Sequence, residues 1–167
     1  SHSAKRRAGV QIGRDELAIN FFFRQCDDVM NLILVEWNDA PKYWPFIENW
    51  IKRALKRSIA YEPNDILSAI LRGEMQLWIA EDDRVRACAV SQIWIYPRAR
   101  ICGILIIGGE GIDNWIHFEA AVTVWAKKMG CKSVEGYGRR GWERKMKSKG
   151  YIPIFTVYRK MVTCSKL

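Results

Sequence analysis

Residues 105–121 read LIIGGEGIDNWIHFEAA, and their reading decides the fold. The run from 101 to 107 is apolar at almost every position. Such a run fits a strand buried on both faces, at the centre of a sheet. Gly108, Gly109 and Gly111 follow, with Glu110 among them. Asp113 or Asn114 then stands where a helix would be capped. Beyond it Trp115, Phe118, Val122, Trp125, Ala126 and Met129 share one helical face, and Gly130 ends the pattern. A buried strand entering a helix through glycines is either a tight turn or a cradle whose N–H groups receive phosphate.

Upstream, the period is that of strands. MQLWIAE (75–81) and RVRACAVSQIWIYP (84–97) alternate around an Asp-Asp turn, which predicts a hairpin. Before them, DAPKYWPFIENWIKRALKRS predicts a helix with Pro45 in its first turn and Phe46, Ile47, Trp50, Ile51, Ala54 and Leu55 on one face. EPNDILSAILRG predicts a second helix, capped by Asn64 or Asp65 and ended by Gly73. Residues 15–37 are densely apolar: the first part reads as helix, and the second leaves helix or strand open. Downstream, CKSVEGY is a fourth strand, the basic stretch after it a short helix, and IPIFTVYRKMV an alternating final strand. The expectation is one α/β domain over residues 15–167, a mixed and mostly antiparallel sheet flanked by helices. Residues 1–14, with Lys5, Arg6, Arg7 and Arg14, form a basic flexible arm.

Composition narrows the function. A net charge of +9 and a pI of about 9.5 point to anionic partners: nucleic acid without sequence preference, a phosphorylated ligand, or an acidic protein. Five cysteines, an odd number without a C-x-x-C, read as reduced thiols in a cytoplasmic protein. With two histidines, His2 near the start and His117, neither a metal site nor a Ser-His-Asp triad is expected. No run approaches the roughly 20 apolar residues that span a bilayer, so no membrane partner is expected. Oligomeric state is left open.

The order of elements resembles the GCN5-related N-acetyltransferase fold over residues 40–162, through LIIGGEGIDNWIHFEAA and KSVEGYGRRGWERKMKSKGYIPIF. Within this, residues 125–151, WAKKMGCKSVEGYGRRGWERKMKSKGY, are similar to acetyltransferase-like proteins of tailed bacteriophages that share W-A-x-x-x-G-C, G-R-x-G-W and a closing GF or GY. The resemblance implies an acyl group moved from acetyl-coenzyme A to an amine. The backbone at Ile106 and Ile107 would hold the pantetheine arm and polarise the thioester carbonyl, and Gly108, Gly109 and Gly111 would receive the pyrophosphate. Arg139 and Arg140 would meet phosphate and offset Glu110. On this reading a β-branched residue at 109 blocks binding and spares the fold.

The chain also departs from the family pattern. Glu110 stands in a turn that usually carries a positive or neutral group. Counting back from Gly150, Arg139 occupies the position of a cofactor-touching Asn, and Met146 that of the Tyr that protonates the leaving thiolate. Met carries no such proton. Tyr137 and Tyr151 are nearby phenols at other spacings. Glu81 and Glu110 are the carboxylates expected nearest the cleft, candidates for the base that deprotonates the amine. The alternative is a non-catalytic relative, a phage accessory or virion protein whose basic surface meets DNA or an acidic partner.

Overall fold

The computed structural model describes residues 20–25, 28–111, 118–138 and 140–162. The basic arm at 1–14, His117, Arg139 and the expected cap at 113 or 114 lie outside the described residues. The chain divides into two compact units, one ending at Tyr137 and one beginning at Gly138.

The first unit is built on a six-stranded sheet whose spatial order follows the chain: β1 (Asn20–Gln25), β2 (Asp28–Val35), β3 (Gln76–Glu81), β4 (Val85–Tyr96), β5 (Ala99–Gly109) and β6 (Cys131–Gly136). All neighbours pair antiparallel except β5 and β6, which are parallel. The helices are α1 (Ala40–Leu55), α2 (Pro63–Leu71) and α3 (Glu119–Lys128). This is the expected α/β architecture, a mixed and mostly antiparallel sheet with helices against it.

Period-two alternation gives the sheet two apolar faces. Leu77 and Ile79 of β3, Val90 of β4 and Ile106 of β5 join Ile47, Trp50, Ile51, Ile66 and Ile70 of α1 and α2 in one buried cluster. On the other face Trp78 meets Trp125 of α3 edge to face, with ring centroids 5.3 Å apart and planes at 83°. That geometry suits the aromatic quadrupole. Trp78 also donates its Nε1–H to Ser91 Oγ at 2.9 Å, and the Ser91 hydroxyl donates to Gln76 Oε1 at 3.1 Å. Three buried polar groups thereby satisfy one another, as burial requires.

Several expectations are corrected. Part of the first apolar stretch, expected as helix, is β1: pairing with β2 outweighs the local period, and the Phe-rich run suits a strand. The 101–107 run is an interior strand, but β3 is buried more completely, with Gln76 through Ala80 all buried. The reason is that β6 flanks only part of β5. In α1, Pro41 occupies the first turn and Pro45 lies inside the helix. Phe46 is 64% exposed while Trp44 is buried, so the helix face is turned by part of a step from the expected one. In α2, Glu62 is the N-cap residue, and its N–H donates to Asp65 Oδ2 at 2.8 Å. Asp65 therefore works from the third helical position, as half of a capping box.

The second unit holds a 3-10 turn (Arg140–Trp142) and the short helix α4 (Glu143–Ser148), closed by Gly150 at φ +86°. Lys147 pairs with Glu143 across one turn at 2.7 Å. No residue from 152 to 162 is in a strand, although the alternation there predicts one. Among the described residues no helix is long and apolar enough to cross a membrane.

Candidate active site

The site is a fork in the sheet. β5 pairs with β4 along its whole length, from Ala99 opposite Tyr96 to Gly109 opposite Ala87. Its pairing with β6 runs only from Arg100 to Ile104, opposite Cys131 to Gly136. Past the last pair, Tyr137 N–H donates to Ile104 O at 3.2 Å, and β6 ends. Residues 105–109 of β5 therefore have a strand neighbour on one side alone among the described residues. Five residues of open edge amount to roughly 16 Å at the strand rise.

The fork coincides with a bulge. Val90 faces Ile106 and Ser91 faces Ile104, so Leu105 is the extra residue on β5. A bulge bends the strand and re-aims its peptide groups, and it is a recurrent device beside active sites.

Tyr137 is fixed at this point by its neighbours. Its ring stands edge to face with Trp94, with centroids 5.3 Å apart at 77°. Trp94 donates its Nε1–H to Gln92 Oε1 at 3.0 Å, and both residues are buried. The Trp94 ring lies over Gly103, where any Cβ would collide with it. The Tyr137 hydroxyl lies 3.4 Å from Glu135 Oε2, and the residue is partly exposed. A phenol held at the fork was not singled out by counting along the chain. The register between β5 and β6 places it there.

The expected site residues are distributed as follows. Ile106 is buried in the α1 cluster and offers only its backbone to a ligand; Ile107 faces the other way. Gly108 is a packing glycine: a Cβ there would stand 2.6 Å from Trp50 Cβ of α1. Gly109, at φ +153°, would place a Cβ 2.6 Å from both Ala87 Cβ and Arg86 O. A β-branched residue at 109 would thus disturb the sheet itself, contrary to the expectation that it spares the fold. Gly111 takes φ +59°, a left-handed conformation that glycine adopts without strain. Arg139 lies outside the described residues, and Arg140 opens the 3-10 turn of the second unit.

Glu110 accepts a bond from Arg84 at 3.0 Å, and its N–H donates to Arg86 O at 2.9 Å. A cation thus already offsets the carboxylate that the turn carries. Glu81 ends β3, two strands from β5, which is roughly 10 Å across the sheet. Burial holds its carboxyl above the usual range. The sheet does not bring Glu81 and Glu110 together with the fork. Beside Glu81, burial and then the Glu81 charge push the Tyr43 phenol up.

A hollow lies under the start of α3, lined by Trp78, Ala80, Ala87, Ala89, Phe118 and Val122 among others. Its walls are almost wholly apolar, and it opens because alanines sit where neighbouring positions carry Trp and Ile. Among the described residues, no group of three His, Cys, Asp or Glu is placed to hold a metal ion.

No protein-family model matches the chain, and no curated protein matches it by sequence. Solved structures do match. An aminoglycoside acetyltransferase from an uncultured soil metagenomic sample, in complex with sisomicin, aligns with a TM-score of 0.59 at 9% identity, covering 80% of this chain and 97% of that one. Glucosamine-6-phosphate N-acetyltransferase from Arabidopsis thaliana aligns at 0.57 and 13%, over 80% and 99%. An aminoglycoside N-acetyltransferase in complex with CoA aligns at 0.58 and 13%, over 84% and 100%. At such identities the likeness establishes the fold alone. The chain has the fold of the GCN5-related N-acetyltransferases.

Proposed function

We propose that the chain transfers an acetyl group from acetyl-coenzyme A to an amine, with the fork as its active site. The observation that carries this is the coincidence of three features: the open β5 edge at 105–109, the bulge at Leu105, and Tyr137 held where β6 ends. An exposed strand edge binds an extended amide-bearing arm by main-chain hydrogen bonds, and pantetheine is such an arm. The open edge, the bend and the left-handed Gly111 fit it. Acetyl-coenzyme A supplies an activated thioester.

The chain's own groups have these roles. Peptide groups of residues 105–109 align the arm, and an N–H at Leu105 or Ile106 donates to the thioester carbonyl as it gains charge. Gly111, left-handed at φ +59°, keeps a side chain out of the turn, and Arg84 offsets Glu110 there. The Tyr137 phenol gives its proton to the departing sulfur, the task for which Met146 has no group. The attacking amine loses its proton to water, since the sheet keeps Glu81 two strands away from the fork.

The test is binding and turnover together. Acetyl-coenzyme A stabilises the folded chain, by about 2.7 kcal/mol at a hundredfold excess over Kd. Tyr137→Phe keeps that stabilisation and loses about 10²–10⁴-fold in acetyl transfer to amines. Absence of any stabilisation at millimolar ligand overturns the reading. The non-catalytic alternative, a basic surface that meets DNA or an acidic protein, is favoured by Met146 at the acid position, and it would then stand.

A further inference from the structure

The hollow beneath the start of α3 and the open stretch of β5 share two residues. Ile104 and Ile107 line the hollow. Between them in the chain lie Leu105 and Ile106, whose N–H groups the proposed mechanism sets against the thioester carbonyl. Ile107 stands opposite Ala89 of β4, and Ala89 opposite Trp78 of β3, so the floor runs across the sheet. Ala80 and Ala87, opposite one another, continue it, and Leu32 of β2, opposite Ala80, ends it. From β5 to β2 is three strand spacings, roughly 14 Å. Ala89 is partly exposed although strands flank β4 on both sides. The exposure is into the hollow.

This surface suits an apolar occupant. The Trp78 N–H is already taken by Ser91. Glu119, the one charged residue of the lining, accepts the Thr123 hydroxyl at 2.7 Å. What remains is a concave wall of aliphatic and aromatic carbon, the usual lining of a ligand pocket. On the opposite face the strands beside the fork are filled: Val90 and Ile106 are buried in the α1 cluster with Ile47 and Trp50.

We propose that the hollow receives the acyl chain of the donor, so that butanoyl to octanoyl thioesters of coenzyme A serve better than the acetyl thioester. The inference rests on the reading of the fork as an acyl-transfer site. The chain leaves the β5 edge at Leu105, where the bulge bends the strand, and turns toward α3 because the α1 face is filled. The chemistry is that of the shorter donor. The amine nitrogen bonds to the acyl carbon, and the carbon–sulfur bond breaks. Its electron pair leaves with sulfur, which takes the Tyr137 proton, and the proton of the amine goes to water.

The experiment uses the full chain with acetyl-, butanoyl-, hexanoyl- and octanoyl-coenzyme A. Calorimetry is expected to show Kd falling about fourfold for each added methylene that enters the hollow. Methyl NMR locates the chain: relative to acetyl-coenzyme A, hexanoyl-coenzyme A should shift the methyls of Ala89 and Val122 and leave those of Ile47 and Val90 in place. Ala89→Leu, which fills the floor, should bring the hexanoyl and acetyl Kd values together. Should that variant fail to fold, the length series and the methyl shifts of the unaltered chain decide. Acetyl-coenzyme A bound as tightly as the longer thioesters overturns this proposal and leaves the reading of the fork standing. So do shifts at Ile47 and Val90 in place of Ala89 and Val122, or an Ala89→Leu chain that keeps the full difference in Kd. Binding of none of these thioesters overturns the reading of the fork, and this proposal with it.

Discussion

Gly108 of β5 and Trp50 of α1 are in such close contact that a Cβ on the glycine would stand 2.6 Å from Trp50 Cβ. The helix therefore lies directly on the strand at the point where the glycine run begins. Gly108 is explained by packing, and the phosphate reading of the run rests on Gly111.

Gly108→Ala is expected to destabilise the chain by about 1–3 kcal/mol, the usual cost of overpacking a well-filled contact. Urea unfolding followed by far-UV circular dichroism measures it. A neutral result would mean that α1 can lift from β5 without loss. Gly109→Val should cost at least as much, since φ +153° and the crowding by Ala87 and Arg86 O act together. Loss of ligand binding in that variant would then report a damaged sheet.

Ser91→Ala should be costly out of proportion to its size. It leaves Trp78 Nε1 and Gln76 Oε1 buried without the hydroxyl that serves both. An orphaned buried group costs roughly 1–3 kcal/mol. Thermal unfolding together with tryptophan fluorescence tests this, because Trp78 should change its emission as its hydrogen bond disappears.

Stability should fall on acidification partly through Asp82. Arg86 donates to both of its carboxylate oxygens at 2.8 Å, and the Arg84 N–H donates at 3.1 Å. Arg86 first of all holds the carboxyl well below its ordinary value of 3.8. The folded state thus binds this proton less readily than the unfolded state. The contribution is fully present above 3.8 and is lost as pH falls through the folded value. Asp82→Asn should be less stable than the parent chain at neutral pH, and the two should converge in strong acid. Parallel curves at every pH would assign the pair no role.

Thiol reactivity should separate the described cysteines. Cys88 and Cys102 are free and buried, and burial pushes each thiol up to about 12 from 9.0. Cys131 is partly exposed. The thiolate is the reactive form, so an alkylating reagent at neutral pH should label Cys131 well before the other two in folded protein. The sign is reversed from that of Asp82. The folded state keeps these protons, so their contribution is present below 9.0 and is lost as pH rises toward 12. Unfolding at alkaline pH should therefore precede that of a variant with both residues replaced by alanine, once their different baselines are allowed for.

What could be read along the chain was what depends on neighbours within a turn or a strand. The hairpin around Asp82 and Asp83, strand β5 and the buried face of α3 all follow from short periods, and each formed where its period placed it. Local rules failed where a distant partner outweighed them. β1 is a strand because β2 pairs with it, and Phe46 is exposed because the sheet meets α1 on the side of Trp44 and Ile47. The residues of the glycine turn were visible as glycines, but a glycine in sequence does not say whether a helix, a bent backbone or a ligand needs the space. Trp50 answers for Gly108, and Ala87 with the Arg86 carbonyl answers for Gly109. The fork was invisible altogether. It exists because β6, reached only after the whole of α3, stops pairing at Ile104 while β5 continues to Gly109, and Tyr137 stands there because register places residue 137 beside residue 104. Such a juxtaposition is a property of how strands far apart in the chain are laid together, and only the tertiary structure decides it.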